Sequence, residues 1–300
     1  MKSITLTRRI SSISKREPKT KRPNDSMRGP TLPVDEKAKS INKQILKLGR
    51  DGKWKDILVL YKEEKQHFNA VNHATVMSQL GRIRQMRNDD ALFEAFLDDL
   101  SAKLYSSGIA WIAEVRALAS IVHAIAKMGL KPNASAMKIV RLVDDCETAQ
   151  WFIDNGNPQD IANCVWACGK LGIEASDMFR LLDHRAEWLV ENGNPQDLAN
   201  CLWACATLGI ESPNLFRLLD ERAEWLVDNG TPQALANCVG ACGTLGIKSP
   251  NLFRLLDKRA QWLLDILNTH EVEIYVWACG KLEIESPNLF KLLDERTEWW

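Results

Sequence analysis

The apolar positions of the C-terminal half recur at helical spacing, and the whole pattern then recurs as a block. Ile161, Cys164, Val165, Cys168 and Leu171 fall on one side of a 3.6-residue helix. Gln159, Asn163, Trp166 and Lys170 fall on the opposite side, with the small Ala162 and Ala167 on the flanks. Asn157-Pro158 supplies a cap residue and a proline at the first helical position, and Gly172 is a left-handed terminator. A second helix follows. In the next copy it opens at Ser212-Pro213 and closes at Asn229-Gly230. Its apolar arc is wider: Leu215, Phe216, Leu218, Leu219, Ala223, Trp225, Leu226 and Val227. That width predicts that the second helix is the more buried of the two and that Trp225 is a core side chain.

The block length is 37 residues. Trp151, Trp188, Trp225, Trp262 and Trp299 keep that interval, as do Cys168, Cys205, Cys242 and Cys279. Residues 157–193 match 194–230 at 27 of 37 positions, and 194–230 match 231–267 at 26. A fourth, incomplete copy opens at Asn268. Upstream, Ala119–Leu130 reads like Ala162–Ile173, and Asn72–Ile83 does so more weakly. No strand pattern intervenes. The expectation is an all-α fold, an α-solenoid of stacked helical hairpins in which each unit buries its apolar face against its neighbours. Its organisation would be a basic, disordered arm and linker over 1–40, divergent helical repeats over 41–156, and four 37-residue repeats over 157–300.

Charge divides the chain in the same way. Lys and Arg balance Asp and Glu at 39 each, yet residues 1–50 hold 14 basic and 4 acidic groups. Residues 51–150 hold 13 of each, and residues 151–300 hold 12 basic and 22 acidic groups. No apolar run approaches the ~18 residues of a spanning helix, which excludes an integral membrane protein of that kind.

Catalytic chemistry is sparse. His67, His73, His123, His184 and His270 are scattered out of register, and no phosphate-cradling glycine loop, HExxH or serine elbow occurs. The chain is therefore expected not to be an enzyme, to need no cofactor or metal, and to take no small-molecule substrate. The pairs Cys164/Cys168, Cys201/Cys205 and Cys238/Cys242 have a metal-compatible i,i+4 spacing, but no histidine accompanies them and Tyr275 replaces the first cysteine of the fourth copy. Compact packing is the expected role, with the thiols reduced. Arg185, Arg222, Arg259 and Arg296 recur within the second helix, where a buried guanidinium needs a partner. The acidic residue of the same unit (Asp183, Asp220, Asp257, Asp294) is the expected one.

The polar stripe of the first helix is the candidate site. Across the copies it reads Gln159/Asn163/Trp166/Lys170, Gln196/Asn200/Trp203/Thr207, Gln233/Asn237/Gly240/Thr244 and His270/Ile274/Trp277/Lys281. An amide beside an aromatic ring suits single-stranded RNA: the ring stacks on a base and the amide bonds its edge. The alternative is that each Trp wedges between units while the Asn satisfies backbone groups. Gly240 favours the exposed arrangement, since the third copy keeps its core without the ring.

The stretch Leu198-Ala-Asn-Cys-Leu-Trp-Ala-Cys-Ala-Thr-Leu-Gly209 resembles the signature of octotricopeptide-like repeats, found in organellar proteins with a RAP domain and in the FAST-kinase-related group. The resemblance covers 157–300. It implies an RNA-binding superhelix acting in organellar RNA processing, stability or translation. Its partners would be organellar transcripts as single-stranded RNA, with other proteins in addition and no membrane. A protein–protein scaffold without nucleic-acid contact is the other reading. Stacking on three Trp is worth about 3–9 kcal/mol gross at about 1–3 each, and micromolar binding needs about 8 net. The basic arm, or further repeats, would supply the phosphate contacts that an acidic array lacks.

Residues 1–22 hold eight basic groups and one acid, with Leu6, Ile10 and Ile13 at helical spacing. That is the pattern of an organellar transit peptide, and the mitochondrion is expected ahead of the plastid. Lys15-Arg16 and Lys19–Arg22 leave a nuclear signal open, and a solubilising tail is the third reading.

Overall fold

The computed structural model describes residues 35–295 apart from 85, 87, 88 and 113. The transit-peptide segment, Arg296 and Trp299 lie outside the described residues. The divergent part contains α1 (Glu36–Arg50), α2 (Trp54–Glu64), α3 (Ala70–Leu80), α4 (Ala91–Ser107), α5 (Ile109–Ile112), α6 (Val115–Met128), α7 (Ala134–Arg141) and α8 (Cys146–Asn155). The regular part continues with α9 (Pro158–Leu171), α10 (Ser176–His184), α11 (Ala186–Asn192), α12 (Pro195–Leu208), α13 (Pro213–Glu221) and α14 (Ala223–Asn229). It closes with α15 (Pro232–Leu245), α16 (Pro250–Lys258), α17 (Ala260–Ile266), α18 (Thr269–Leu282) and α19 (Pro287–Glu295). Among the described residues there is no strand. The solenoid expected from the repeat is the fold.

Two layers make it. The first helices α3, α6, α9, α12, α15 and α18 pack side by side in one row, and the second helices lie behind them. α1 is already under way at Glu36, inside the stretch to residue 40 expected as linker, and buries Ala38, Ile41 and Ile45 as one stripe.

Local signals account for the helix ends. Asn157, Asn194, Thr231 and Asn268 each accept a backbone N–H of the first turn through the side chain. Gly172, Gly209 and Gly246 take φ near 70°, which lets the chain leave the helix at once. Glu283 stands in the same place in the last copy, at φ 54°.

Three expectations need correction. The second helix is broken in two: Arg185, Arg222 and Arg259 leave helical geometry, at φ near −105°, between α10 and α11, α13 and α14, α16 and α17. The first helices, not the second, are the more buried. Ala162, Ala167 and Gly169 of α9 are sealed along with its apolar face, because α9 has α6 and α12 on its flanks as well as helices behind. Trp188 and Trp225 are only half-buried and Trp262 is exposed, so this tryptophan series rims the core rather than filling it. The Arg185 guanidinium lies over the Trp188 ring, 4.4 Å from its centre.

The charged ladder is also wired differently. Arg185 donates to the Ile153 carbonyl and faces Asp154, and Arg259 pairs with Asp228 at 2.6 Å. Each partner belongs to the preceding unit. The aspartates expected to pair with these arginines look the other way, into the following unit. Asp183 accepts from Leu215 N and Asn214 Nδ2; Asp220 accepts from Ser249 Oγ (2.8 Å), Asn251 N (2.7 Å) and Asn251 Nδ2 (2.9 Å). Asp257 does the same with Ser286, Asn288 and Leu289. So α13, α16 and α19 are capped by the unit before them, and the Ser-Pro starts of α13 and α16 give no side-chain cap of their own.

Candidate nucleic-acid interface

The stripe residues come together as rows running across the first helices. Helix periodicity puts four positions of each helix on this face, and side-by-side packing aligns them from unit to unit. The register upstream follows from glycine contacts. A Cβ on Gly81 would touch Ala124, just as one on Gly169 would touch Ala204. Ser78 and Arg82 therefore correspond to Trp166 and Lys170. The weak match read at Asn72–Ile83 is shifted by two residues from this alignment, because α3 keeps the spacing but few of the residue types.

The ring row then reads Ser78, His123, Trp166, Trp203, Gly240 and Trp277. His123 and Trp166 are 5.1 Å apart at 46°, and Trp166 and Trp203 are 6.1 Å apart at 31°. Burial and the neighbouring Lys127 charge lower the His123 pKa, so its ring is neutral at pH 7. Trp166 and Trp203 are half-buried against the core, and Trp277 is 48% exposed.

The rings neither stand free nor sit wholly in the core. Trp203 and Trp277 lean back on the preceding unit at a glycine. The Trp203 Cζ3 edge lies 3.2 Å from where a Cβ of Gly169 would stand, and the Trp277 edge lies 2.6 Å from that point on Gly243. At Gly240 the ring is missing and the preceding unit carries Ala206, but the unit before Trp166 likewise carries Ala126, so alanine at this place is compatible with a ring. Ile274 fills the space on the other side, 3.1 Å from the Gly240 Cβ position. Ile274 thus takes up part of the space at Gly240, and the missing ring does not by itself argue for free-standing rings.

The amide row is placed beside the rings. Gln159 and Gln233 are exposed, and Asn163, Asn200 and Asn237 are half-exposed. Gln196 donates to Asn200 Oδ1 at 2.9 Å and accepts from Thr231 Oγ1, so part of this row is already bonded along the face. Lys170 and Lys281 are exposed at the outer end of their helices, whereas the Thr207 and Thr244 hydroxyls turn back onto the Trp203 and Gly240 carbonyls. The last copy departs from the rest with His270, Ile274 and Glu273 on this face.

Sequence reasoning missed the upstream continuation of the site. A groove crossing α3, α6 and α9 is lined by Arg82, Arg116, Ser120 and Lys127 together with Gln159 and Asn163. Its signal lay in the match of Ala119–Leu130 to the repeat, which already set His123 in the tryptophan place and Lys127 in that of Lys170. A larger cleft of about 620 Å³ lies elsewhere, where the acids Glu211, Asp220 and Glu221 stand with Arg217 and Lys248, a mixed lining without the excess of cations found in the groove.

Cys164, Cys168, Cys201, Cys205, Cys238, Cys242 and Cys279 are buried and unpaired, and no cluster among the described residues has a metal-binding arrangement. Burial pushes the Cys205 and Cys279 thiols up to about 11 and Cys242 to about 12. Among the described residues, no helix is long and apolar enough to cross a membrane.

No curated protein matches the chain. A family model does: that of the RNA-editing substrate-binding complex 6 protein, over residues 66–298. The family is not the octotricopeptide-like one that the repeat signature resembles, although both consist of RNA-associated proteins. The match takes in α3 to α19, divergent and regular repeats alike, and on it the chain belongs to the RNA-editing substrate-binding complex 6 protein family.

Proposed function

We propose that this chain binds single-stranded RNA as a non-catalytic subunit of an RNA-editing complex, through the face made by its first helices. The observation that carries the reading is the row His123–Trp166–Trp203, three ring side chains at stacking distances with amides beside them. Partly exposed rings offer π-faces to bases, and neighbouring amides offer both donors and acceptors to base edges. The family description, which names a substrate-binding complex for RNA editing, supports both RNA and protein partners. Site residues on this reading are Gln159, Asn163, Trp166, Lys170, Gln196, Asn200, Trp203, Thr207, Gln233, Asn237, Thr244, Trp277 and Lys281. The near-identity of the copies implies that successive units contact similar bases.

The mitochondrion is the proposed site of action, supported by the acid-poor, amphipathic start of the chain. A reporter carrying residues 1–40 should enter mitochondria, and a diffuse signal would remove the localisation alone. RNA binding is tested by fluorescence anisotropy with single-stranded RNA. The changes W166A and W203A together should weaken binding by about 2–6 kcal/mol, at about 1–3 per stacked base. If the pair binds as the parent does while remaining folded, the rings are not a base platform and the scaffold reading takes its place.

A further inference from the structure

The N-terminal end of the first-helix row has a chemistry of its own. Where the regular copies present amides and rings, Arg82, Arg116 and Lys127 line one groove of about 350 Å³ across α3, α6 and α9. Arg84 joins Lys127 in the adjoining depression. All four cations are exposed, and among the described residues none has an ion pair within hydrogen-bonding reach. The one acid in the groove lining is Asp160. It is buried, burial raises its carboxyl pKa, and Arg116 stands within electrostatic reach of it. Much of the negative charge of the regular repeats lies on the other layer, at exposed residues such as Glu187, Glu191, Glu221, Glu224 and Asp228. The net charge of the array therefore says little about this face.

The arrangement is that of a polyanion site. The cations do not converge on one point, as they would around a single phosphate. Arg116 and Lys127 lie near opposite ends of α6, about 16 Å apart along its axis at 1.5 Å per residue, and Arg82 follows the end of the neighbouring α3. The ring position is Ser78 at one end and His123 next to it, so this end offers bases one small ring where the regular copies offer indoles. The same groove runs without interruption into Gln159 and Asn163, the first amides of the regular copies.

We propose that the groove of Arg82, Arg116 and Lys127 grips the sugar–phosphate backbone of single-stranded RNA and feeds the strand onto the tryptophan and amide rows of α9 to α18. The proposal rests on the RNA reading above and divides the labour within it. Phosphates are held at the divergent end, and bases are met at the regular end.

Salt dependence separates the two halves. The full chain and the variant R82Q/R116Q/K127Q are titrated with labelled oligo(U) and oligo(A) at several salt concentrations. Each phosphate neutralised on a single strand contributes about 0.7 to the slope of log K against log salt. Three lost contacts should reduce the slope by about 2, by the same amount for both RNAs. The substituted side chains are exposed, so the helical circular-dichroism signal and melting temperature should be unchanged. W166A/W203A should lose affinity with its slope intact. A charge variant that keeps the parental slope overturns the groove assignment and leaves the RNA reading standing. A parent chain that binds neither RNA at low salt overturns both.

Discussion

The divergent and the regular repeats share one packing scheme and differ in how each unit is secured to the next. In the regular part, the start of a second helix is held by an aspartate of the unit before it: Asp183 for α13, Asp220 for α16, Asp257 for α19. In the divergent part the caps are local. Asp90 caps α4, Asn133 caps α7 and Asp145 caps α8, each through its own side chain. Near-identical copies can use one intermolecular-style joint repeatedly because every unit presents the same donor and acceptor. Copies that have drifted apart cap these helices from their own side chains, although one aspartate bond between units is kept, from Ser135 at the start of α7 to Asp98 of α4. The core differs too. The divergent part centres on His73, fully buried among Tyr61, Phe68, Phe96 and Trp111, whereas the regular part has cysteines and alanines at its seams.

Acid should separate the two parts most strongly. His73 Nδ1 meets the Asn69 carbonyl at 2.8 Å, its Nε2 has no partner, and burial lowers its pKa to about 4. Its folded value lies below its unfolded value, so its contribution is present above about pH 6.5 and is lost as pH falls toward 4. The loss is about 3 kcal/mol at about 1.4 per unit. Asp160 and Asp197 of the regular part have carboxyl values raised by burial, so their contribution increases as pH falls. Hydrogen exchange at pH 4.5 should show α2 to α4 opening before α9 to α15, and H73F should remove much of that difference. Uniform exchange in the two regions would contradict the comparison.

Removing a joint comes next. Asp220 accepts from three groups of the following unit within 2.9 Å, so D220A should cost about 2–3 kcal/mol in urea unfolding, given charge-assisted bonds. N133A, a local cap, should cost about 1 kcal/mol. Equal costs would mean that joints between units carry no special weight.

The ring row gives a smaller effect on stability. Trp203 is half-buried, so W203A should cost about 2 kcal/mol, below the 3–5 of a fully buried ring. Thermal melting would show it, and a loss as large as that of a core tryptophan would make the ring a wedge first and a binding surface second. The smallest effect is a gain. Glu283 holds φ 54° where the other copies have glycine, and E283G should stabilise the last unit by about 1 kcal/mol. No change in its melting would show that the conformation there is unstrained.

Much of this fold is legible in the sequence. The Asn-Pro starts, the Gly ends and the 37-residue period each have a local cause that acts within a few residues, and the helices obey them. What was not legible depends on contacts 30 or so residues away. Asp183 looks like a partner for Arg185 two residues on, and only packing reveals that it reaches Leu215 instead. The degree of burial was misjudged for a related reason. The width of an apolar arc reports one helix, while the sealing of Ala162 and Ala167 is decided by neighbours on either side. The stripe itself was readable from periodicity. The cations of its upstream end were hidden because α3 and α6 match the repeat in spacing more than in residue type.

The seven buried thiols make the array its own recorder. Alkylating reagents attack the thiolate, and both burial and raised pKa values withhold it while a unit is closed. Cys146, exposed on α8, is open to reagent from the start. Each later modification would therefore date the moment at which a particular seam came apart: Cys164 and Cys168 for α9, Cys201 and Cys205 for α12, Cys238 and Cys242 for α15, Cys279 for α18. Mass spectrometry of a timed labelling series, with and without RNA, could read the order of opening along the molecule without a single engineered residue.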